Sequence, residues 1–226
     1  MFYITGDTHG DQRRIPFIEE QVKFRPEDYL FICGDFGFLF RNNEEENAFL
    51  DELSERWQHT ICFIDGNHEN FPAIYSYPEE IWNGGRIHRV RKNIIHLMRG
   101  QVFTIEGKKF FTFGGAYSLD RFLRKVNISY WEEEIPNEAE YREGMENLYK
   151  HDYRVDYILS HTASTGMIEA IGFKPKGLDM ELMEYLQGVY ERTTFDKWFF
   201  GHLHKDIVID ERVRGLYFEM VGIENE

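Results

Sequence analysis

Residues 1–10, MFYITGDTHG, contain an apolar run followed directly by polar residues. The apolar run Phe2 to Thr5 is short and rich in aromatic and β-branched residues, which predicts a strand buried on both faces. It passes directly into Gly6-Asp7-Thr8-His9-Gly10. Because residues i and i+2 of an extended chain point the same way, Asp7 and His9 can bind one ion.

The same arrangement recurs four more times along the chain. Each further apolar run is followed at once by aspartate, asparagine or histidine. One such ending alone would indicate only a turn, a helix cap or a core histidine. Because ligands collect at the carboxyl ends of strands in α/β sheets, all five endings together are expected to converge in space. The runs are Tyr29 to Cys33, Thr60 to Ile64, Val155 to Leu159 and Lys197 to Phe200, ending in Gly34-Asp35, Asp65-Gly66-Asn67-His68-Glu69, Ser160-His161 and Gly201-His202-Leu203-His204.

Helical patterns lie between these runs, whereas the centre and the tail of the chain look β-rich. This distribution predicts an α/β fold, with two stacked sheets and helices outside them, built as one domain over residues 1–226. The helical patterns are Ile15-Ile18-Val22, Phe49-Leu53-Trp57 behind Asn42 and Asn43, Tyr141-Met145-Leu148 behind Pro136-Asn137, and Leu182-Leu186-Val189 behind Asp179. The further strands are predicted at 87–90, 93–98, 102–105, 109–113, 207–210 and 216–220.

The bulk composition limits the possible partners. The formal net charge of -14 disfavours nucleic acid and anionic membranes, whose binding requires lysine and arginine. No apolar run approaches the roughly 18 residues of a membrane span, and no signal peptide fits the start of the chain. Cys33 and Cys62 lie in apolar runs and are expected to be small buried residues. We therefore expect a cytoplasmic protein, and the sequence leaves its oligomeric state open.

The strand endings supply a set of metal-type side chains that is too large for one catalytic ion with an open position. Histidine with carboxylate and amide oxygens, and without thiolate, favours manganese, with iron, zinc or nickel as alternatives. Two divalent ions against two aspartates leave the site positive, which attracts an anionic phosphate. The predicted ligands are Asp7, His9, Asp35, Asn67, His161, His202 and His204.

At these residues the chain resembles the calcineurin-like metallophosphoesterase family. The resemblance covers Gly-Asp-x-His-Gly, Gly-Asp and Gly-Asn-His-Glu near the start, and resumes at His161 and Gly201-His202-x-His204. It implies a two-sheet sandwich flanked by helices. It also implies that His68 is not a ligand but protonates the leaving oxygen or steadies the attacked phosphate. The implied ligand sets are Asp7, His9 and His204 for one ion and Asn67, His161 and His202 for the other, with Asp35 bridging them.

One departure from the family concerns the second motif. Protein serine/threonine phosphatases of the family continue it as Asp-Arg-Gly, whereas this chain continues Gly34-Asp35 with Phe36-Gly37-Phe38. Protein phosphatase activity is therefore not expected, and the usual phosphate-binding arginine is missing. Arg41 is a candidate replacement, the alternative being a solvated arginine before the next helix.

The segment at about 114–137 is predicted to be a lid or specificity loop, because long irregular segments in compact domains often bind ligands. Its aromatic residues and arginines could hold a flat leaving group beside a phosphate, the alternative being a loop that only packs on the body. The candidate substrate contacts there are Tyr117, Arg121, Arg124 and Trp131.

The sequence thus predicts a hydrolase in which metal-bound hydroxide attacks the phosphorus of a small phosphorylated substrate directly, with His68 assisting the leaving group. Two alternatives stay open. One is a phosphodiesterase or nuclease, and the other is a non-catalytic module that keeps its metals as a scaffold.

Overall fold

Two β-sheets stack against each other in the computed structural model, which describes residues 1–224. The seven-stranded sheet has the order β13-β1-β2-β3-β6-β5-β4 and the six-stranded sheet the order β11-β12-β10-β9-β8-β7. The first contains β1 (Phe2–Thr5), β2 (Tyr29–Ile32), β3 (Thr60–Phe63), β4 (Glu79–Trp82), β5 (Gly85–Arg91), β6 (Ile94–Leu97) and β13 (Val221–Ile223). The second contains β7 (Gln101–Ile105), β8 (Lys108–Phe113), β9 (Tyr157–Ser160), β10 (Lys197–Phe200), β11 (Ile207–Val208) and β12 (Val213–Gly215).

Three apolar clusters show that helices flank the two sheets. One cluster joins the facing sides of the sheets, for example through Phe2, Phe31 and Phe110. The other two join the outer sides of the sheets to helices, which confirms the predicted α/β fold with two stacked sheets. The helices are α1 (Arg14–Gln21), α2 (Glu44–Arg56), α3 (Phe71–Tyr75), α4 (Glu138–Lys150), α5 (Thr165–Ala170) and α6 (Met180–Arg192).

Parallel pairing brings the strand ends together. Strands β1, β2, β3 and β6 run parallel in the first sheet, and β8, β9, β10 and β12 run parallel in the second. The carboxyl ends of neighbouring parallel strands lie at one edge of a sheet, which is where the polar endings of the sequence fall.

Asparagine begins two of the helices. The Asn43 side chain accepts a hydrogen bond from the Glu46 amide at the start of α2, while Asn42 lies outside the helix with φ of 49°. Asn137 and Glu140 form a capping box at the start of α4. Asp179 precedes α6, as predicted, but its side chain makes no capping hydrogen bond.

The prediction of a strand over residues 216–220 is wrong. These residues link β12 to β13, and the Asp206 carboxylate accepts hydrogen bonds from the amides of Tyr217, Phe218 and Glu219. Amides bonded to that side chain are not available to a ladder. The strand predicted at 207–210 is also shorter than expected, since β11 contains only Ile207 and Val208.

Two other features bear on the sequence analysis. Cys33 and Cys62 are buried and free, as expected. Over residues 1–224, none of the helices has the length and apolar character required to traverse a bilayer.

Candidate metal centre

The backbone at the strand ends adopts conformations that side chains rarely take. His9, Asp35, His202 and His204 all have positive φ, between 48° and 64°. Each such residue costs about 1–3 kcal/mol and persists only where the surroundings impose it. Strain of this kind at four polar residues points to a functional site.

Two glycines allow the carboxylates their close approach. A Cβ on Gly66 would lie 2.0 Å from Asp35 Oδ1, and a Cβ on Gly201 would lie 2.1 Å from Asp7 Oδ1. Any side chain at either position would displace the aspartate from the centre.

The first group of side chains contains Asp7, His9, Asp35 and His204. One potential ligand atom from each residue lies within 4.8 Å of the others, so this group could hold a metal ion. His9 Nε2 lies 2.8 Å from His204 Nε2, and His204 Nε2 lies 3.1 Å from Asp7 Oδ2.

The second group contains Asn67, His161 and His202. Asn67 Oδ1 lies 3.0 Å from both His161 Nε2 and His202 Nδ1. The Asn67 amide nitrogen donates to Ser118 Oγ, which keeps the amide oxygen turned toward the histidines. Three potential ligand atoms therefore converge on one point.

Asp35 lies between the two groups. Its Oδ2 is 3.7 Å from His9 Nε2, and its Oδ1 is 3.5 Å from His161 Nε2. The structure thus brings all seven predicted ligands together at the strand ends.

The donor set fits a divalent cation. Asp35 Oδ2 is buried and has no hydrogen-bond partner among residues 1–224. Such an atom is costly unless a cation balances it. His9 and His204 direct ring nitrogens at each other beside two carboxylates, which suits two imidazoles that share a cation.

Burial favours the neutral, metal-binding form of two of these histidines. It lowers the pKa of His202 to about 4 and also lowers the pKa of His9. The hydrogen bond to Asp7 raises the pKa of His204. A neutral imidazole offers a free lone pair, which is the form that binds metal.

His68 lies at the edge of the centre. Its backbone amide donates to Asp35 Oδ1, at 2.7 Å, and its ring lies 5.1 Å from the His9 ring. Arg124 Nη2 is 3.2 Å from His68 Nε2, and Asp120 and the Ser129 carbonyl hold the same guanidinium. Because a guanidinium only donates, His68 Nε2 accepts here.

A cavity of about 240 Å³ opens onto the centre. It is lined by His9, Gly10, Gly37, Phe40, Arg41, Glu46 and His68. Arg41 therefore borders the same space as His68, with its backbone amide bonded to Glu46. A larger cavity, of about 1130 Å³, lies between α3 and α4 and is lined by none of the seven predicted ligands.

The other candidate substrate residues are tied to the protein itself. Arg121 donates to Glu134 and lies between the rings of Tyr117 and Tyr130. Trp131 is buried and packs on Phe40. A substrate contact by Tyr117, Arg121 or Trp131 stays a prediction.

Three residues that support the site were not assigned a role from the sequence. Glu69 is fully buried and accepts hydrogen bonds from the amides of Phe36 and Gly37, next to Asp35. Ser118 and Glu134 fix the amide of Asn67, since Ser118 Oγ donates to Glu134. Glu69 belongs to a motif and could have been found, whereas no pattern marks Ser118 or Glu134.

The two stacked sheets and the histidine–carboxylate cluster at their strand ends define a metallohydrolase-like α/β protein. The chain belongs to the calcineurin-like phosphoesterase family, whose sequence model matches residues 1–206 of 226. Membership indicates metal-dependent hydrolysis of phosphate esters. No curated protein is significantly similar to the chain.

Proposed function

We propose that the chain is a phosphomonoesterase that uses two divalent ions, with manganese preferred. The observation that supports this most is the position of Asp35 between two groups of potential ligands. Asp7, His9 and His204 would hold one ion, Asn67, His161 and His202 the other, and Asp35 both. Two bound ions would supply positive charge for the phosphoryl transition state and activate the attacking water.

The residues beside the metal centre bind the phosphate and assist the leaving group. Arg124 replaces the arginine that is missing after Gly34-Asp35, because its guanidinium reaches the same edge of the centre from another segment. An arriving phosphate accepts from Arg124 and releases His68 Nε2. The released Nε2 takes up a proton from solvent, and His68 then delivers that proton to the departing alkoxide oxygen, which leaves as the alcohol.

Metal content and turnover together test this function. We expect Asp35→Ala and His202→Ala to bind less manganese by elemental analysis and to lose turnover of a mono-aryl phosphate. His151→Ala is the matched control, since His151 lies at the end of α4 and away from the centre. Either mutant of the centre retaining wild-type metal and turnover would exclude the assignment.

The same assay separates the monoesterase from the phosphodiesterase alternative. Turnover of a mono-aryl phosphate well above that of a bis-aryl phosphate supports the monoesterase. A metal-loaded protein that is inert to both, and to a panel of nucleotide esters, would support the non-catalytic module instead.

A further inference from the structure

The segment that carries Arg124 exposes an unusual run of large apolar side chains. Leu119, Phe122 and Leu123 are 78%, 83% and 77% exposed, and Val126 and Ile128 are exposed as well. Exposed large apolar residues this close together in the sequence are uncommon, and an exposed apolar patch often marks a binding surface. We call these five residues the apolar rim.

The apolar rim is joined to the metal centre through Arg124. The guanidinium of Arg124 contacts His68, and Leu123 and Phe122 are the two residues before it. Consecutive Cα atoms are 3.8 Å apart, so both apolar residues begin within about 8 Å of the Arg124 Cα. Phe122 and Leu123 therefore lie next to the arginine that reaches the metal centre.

The cavity at the centre is small and open to solvent. Its volume of about 240 Å³ is below the roughly 300–1,000 Å³ of usual small-molecule pockets. It accommodates the phosphate end, while the rest of the leaving group extends outward. The aromatic ring of Phe40, supported by Trp131, lines the cavity and offers the first apolar surface on that path.

Charge disfavours an anionic leaving group. Glu46 lines the cavity, and the chain carries a net charge of -14. A leaving group with further phosphates or carboxylates would be repelled outside the metal centre.

We propose that the substrate is an amphiphilic phosphate monoester, with its phosphate at the metal centre and a hydrocarbon chain lying along Phe40 and the apolar rim. This assignment rests on the proposed function and names its substrate class.

Binding of non-hydrolysable alkyl phosphonates tests the proposal without turnover. Calorimetry on the manganese-loaded protein compares butyl, hexyl and octyl phosphonate below their aggregation concentrations. We expect the octyl compound to bind about tenfold more tightly than the butyl compound. Each fully buried CH₂ contributes about fourfold, and the apolar rim covers only one side of the chain. Turnover of the matching alkyl phosphates should show the same increase in kcat/KM.

Two double variants test whether the apolar rim causes the dependence of affinity on chain length. The double variant Phe122→Ser with Leu123→Ser should reduce the octyl-to-butyl ratio to near one. The control is Phe173→Ser with Leu178→Ser, which removes side chains that are 62% and 71% exposed, on either side of the irregular stretch at 174–177. The control should keep the wild-type ratio.

Three outcomes would overturn the substrate class. The first is equal affinity for butyl and octyl phosphonate, and the second is an equal loss of the octyl-to-butyl affinity ratio in both double variants. The third is a wild-type protein that is dimeric in solution and a Phe122/Leu123 double variant that is monomeric but keeps the wild-type affinity ratio. The last result would identify the apolar rim as a contact between two copies. If the alkyl phosphates are not hydrolysed but octyl phosphonate still binds about tenfold more tightly than butyl phosphonate, the result would count against the proposed function and not against the binding surface.

Discussion

Glu69 holds the turn that places Asp35 at the metal centre. Its carboxylate accepts from the Phe36 amide at 2.6 Å and from the Gly37 amide at 3.3 Å. Burial, together with the charge of Asp35, raises the pKa of Glu69 well above its ordinary value. Burial of this carboxyl group is unfavourable, and the hydrogen bonds that it accepts from the Phe36 and Gly37 amides offset part of that cost.

Removal of this carboxylate should destabilise both the fold and the metal centre. Glu69→Ala leaves two buried amides unpaired, at about 1–3 kcal/mol each, so we expect a loss of about 2–6 kcal/mol in the free energy of unfolding. Glu69→Gln keeps an acceptor oxygen and should lose less. Urea titration of both variants and of the exposed control Glu44→Ala measures this. An equal response of Glu69→Ala and Glu44→Ala would contradict the role.

The arginine at the centre can be identified by comparing two single substitutions. Arg124→Ala should lower kcat/KM for a mono-aryl phosphate by about 100-fold, because one charged donor to the transition state is lost. Arg41→Ala should lower it by much less, since Arg41 borders the cavity without contacting His68 in this structure. A larger loss for Arg41→Ala would transfer the phosphate-binding role to that residue.

Among the structural elements, the segment at 114–137 supports the metal centre through a chain of hydrogen bonds, which we call the brace. Arg121 donates to Glu134, Glu134 accepts from Ser118, and Ser118 accepts from the amide of Asn67. The aromatic rings of Tyr117 and Tyr130 enclose the Arg121 guanidinium. The segment therefore combines an inner supporting face with the exposed apolar rim.

Disruption of this brace should weaken one metal site more than the other. Glu134→Ala frees Ser118 and thus the amide of Asn67, and loss of such supporting contacts typically costs about 10–100-fold in metal affinity. We expect the weaker of two manganese-binding steps to shift by about tenfold. Glu132→Ala, an exposed neighbour on the same turn, is the control. An identical shift in both variants would argue against the brace.

The sequence predicts those elements whose cause is local. Five apolar runs correspond to five strands, and Asn137 begins the helix that follows it, because burial and capping leave patterns within a few residues. Residues 216–220 were predicted wrongly because the decisive contact comes from Asp206, which lies 11 to 13 positions before the amides that it binds. The contact between Arg124 and His68 joins residues 56 positions apart and leaves no periodic pattern.

At the scale of the whole molecule, the centre depends on the position of one sheet relative to the other. Asp7, Asp35 and Asn67 follow strands of the first sheet, and His161 and His202 follow strands of the second. A cation bound by both groups would therefore link the sheets. Binding that occurs only in the folded state adds to stability.

Manganese should accordingly raise the midpoint of thermal unfolding. At a free concentration of 100 times the dissociation constant, each site contributes about 2.7 kcal/mol. Scanning calorimetry of protein treated with chelator, before and after manganese is restored, measures the shift. The Asp35→Ala variant should show a much smaller shift, and magnesium at equal ionic strength controls for a general salt effect. A full shift in Asp35→Ala would exclude binding at this centre.

The backbone amide of His202 bonds to the carboxylate of Asp7 across 195 positions of the chain. At the usual pace of translation, Asp7 is synthesised about 10 to 40 seconds before His202. The nascent chain thus carries an incomplete chelating site throughout this interval. A metal ion would consequently be taken up only after His202 has been synthesised, so a cell in which the free concentration of divalent ions fluctuates would load the protein according to conditions at that later time.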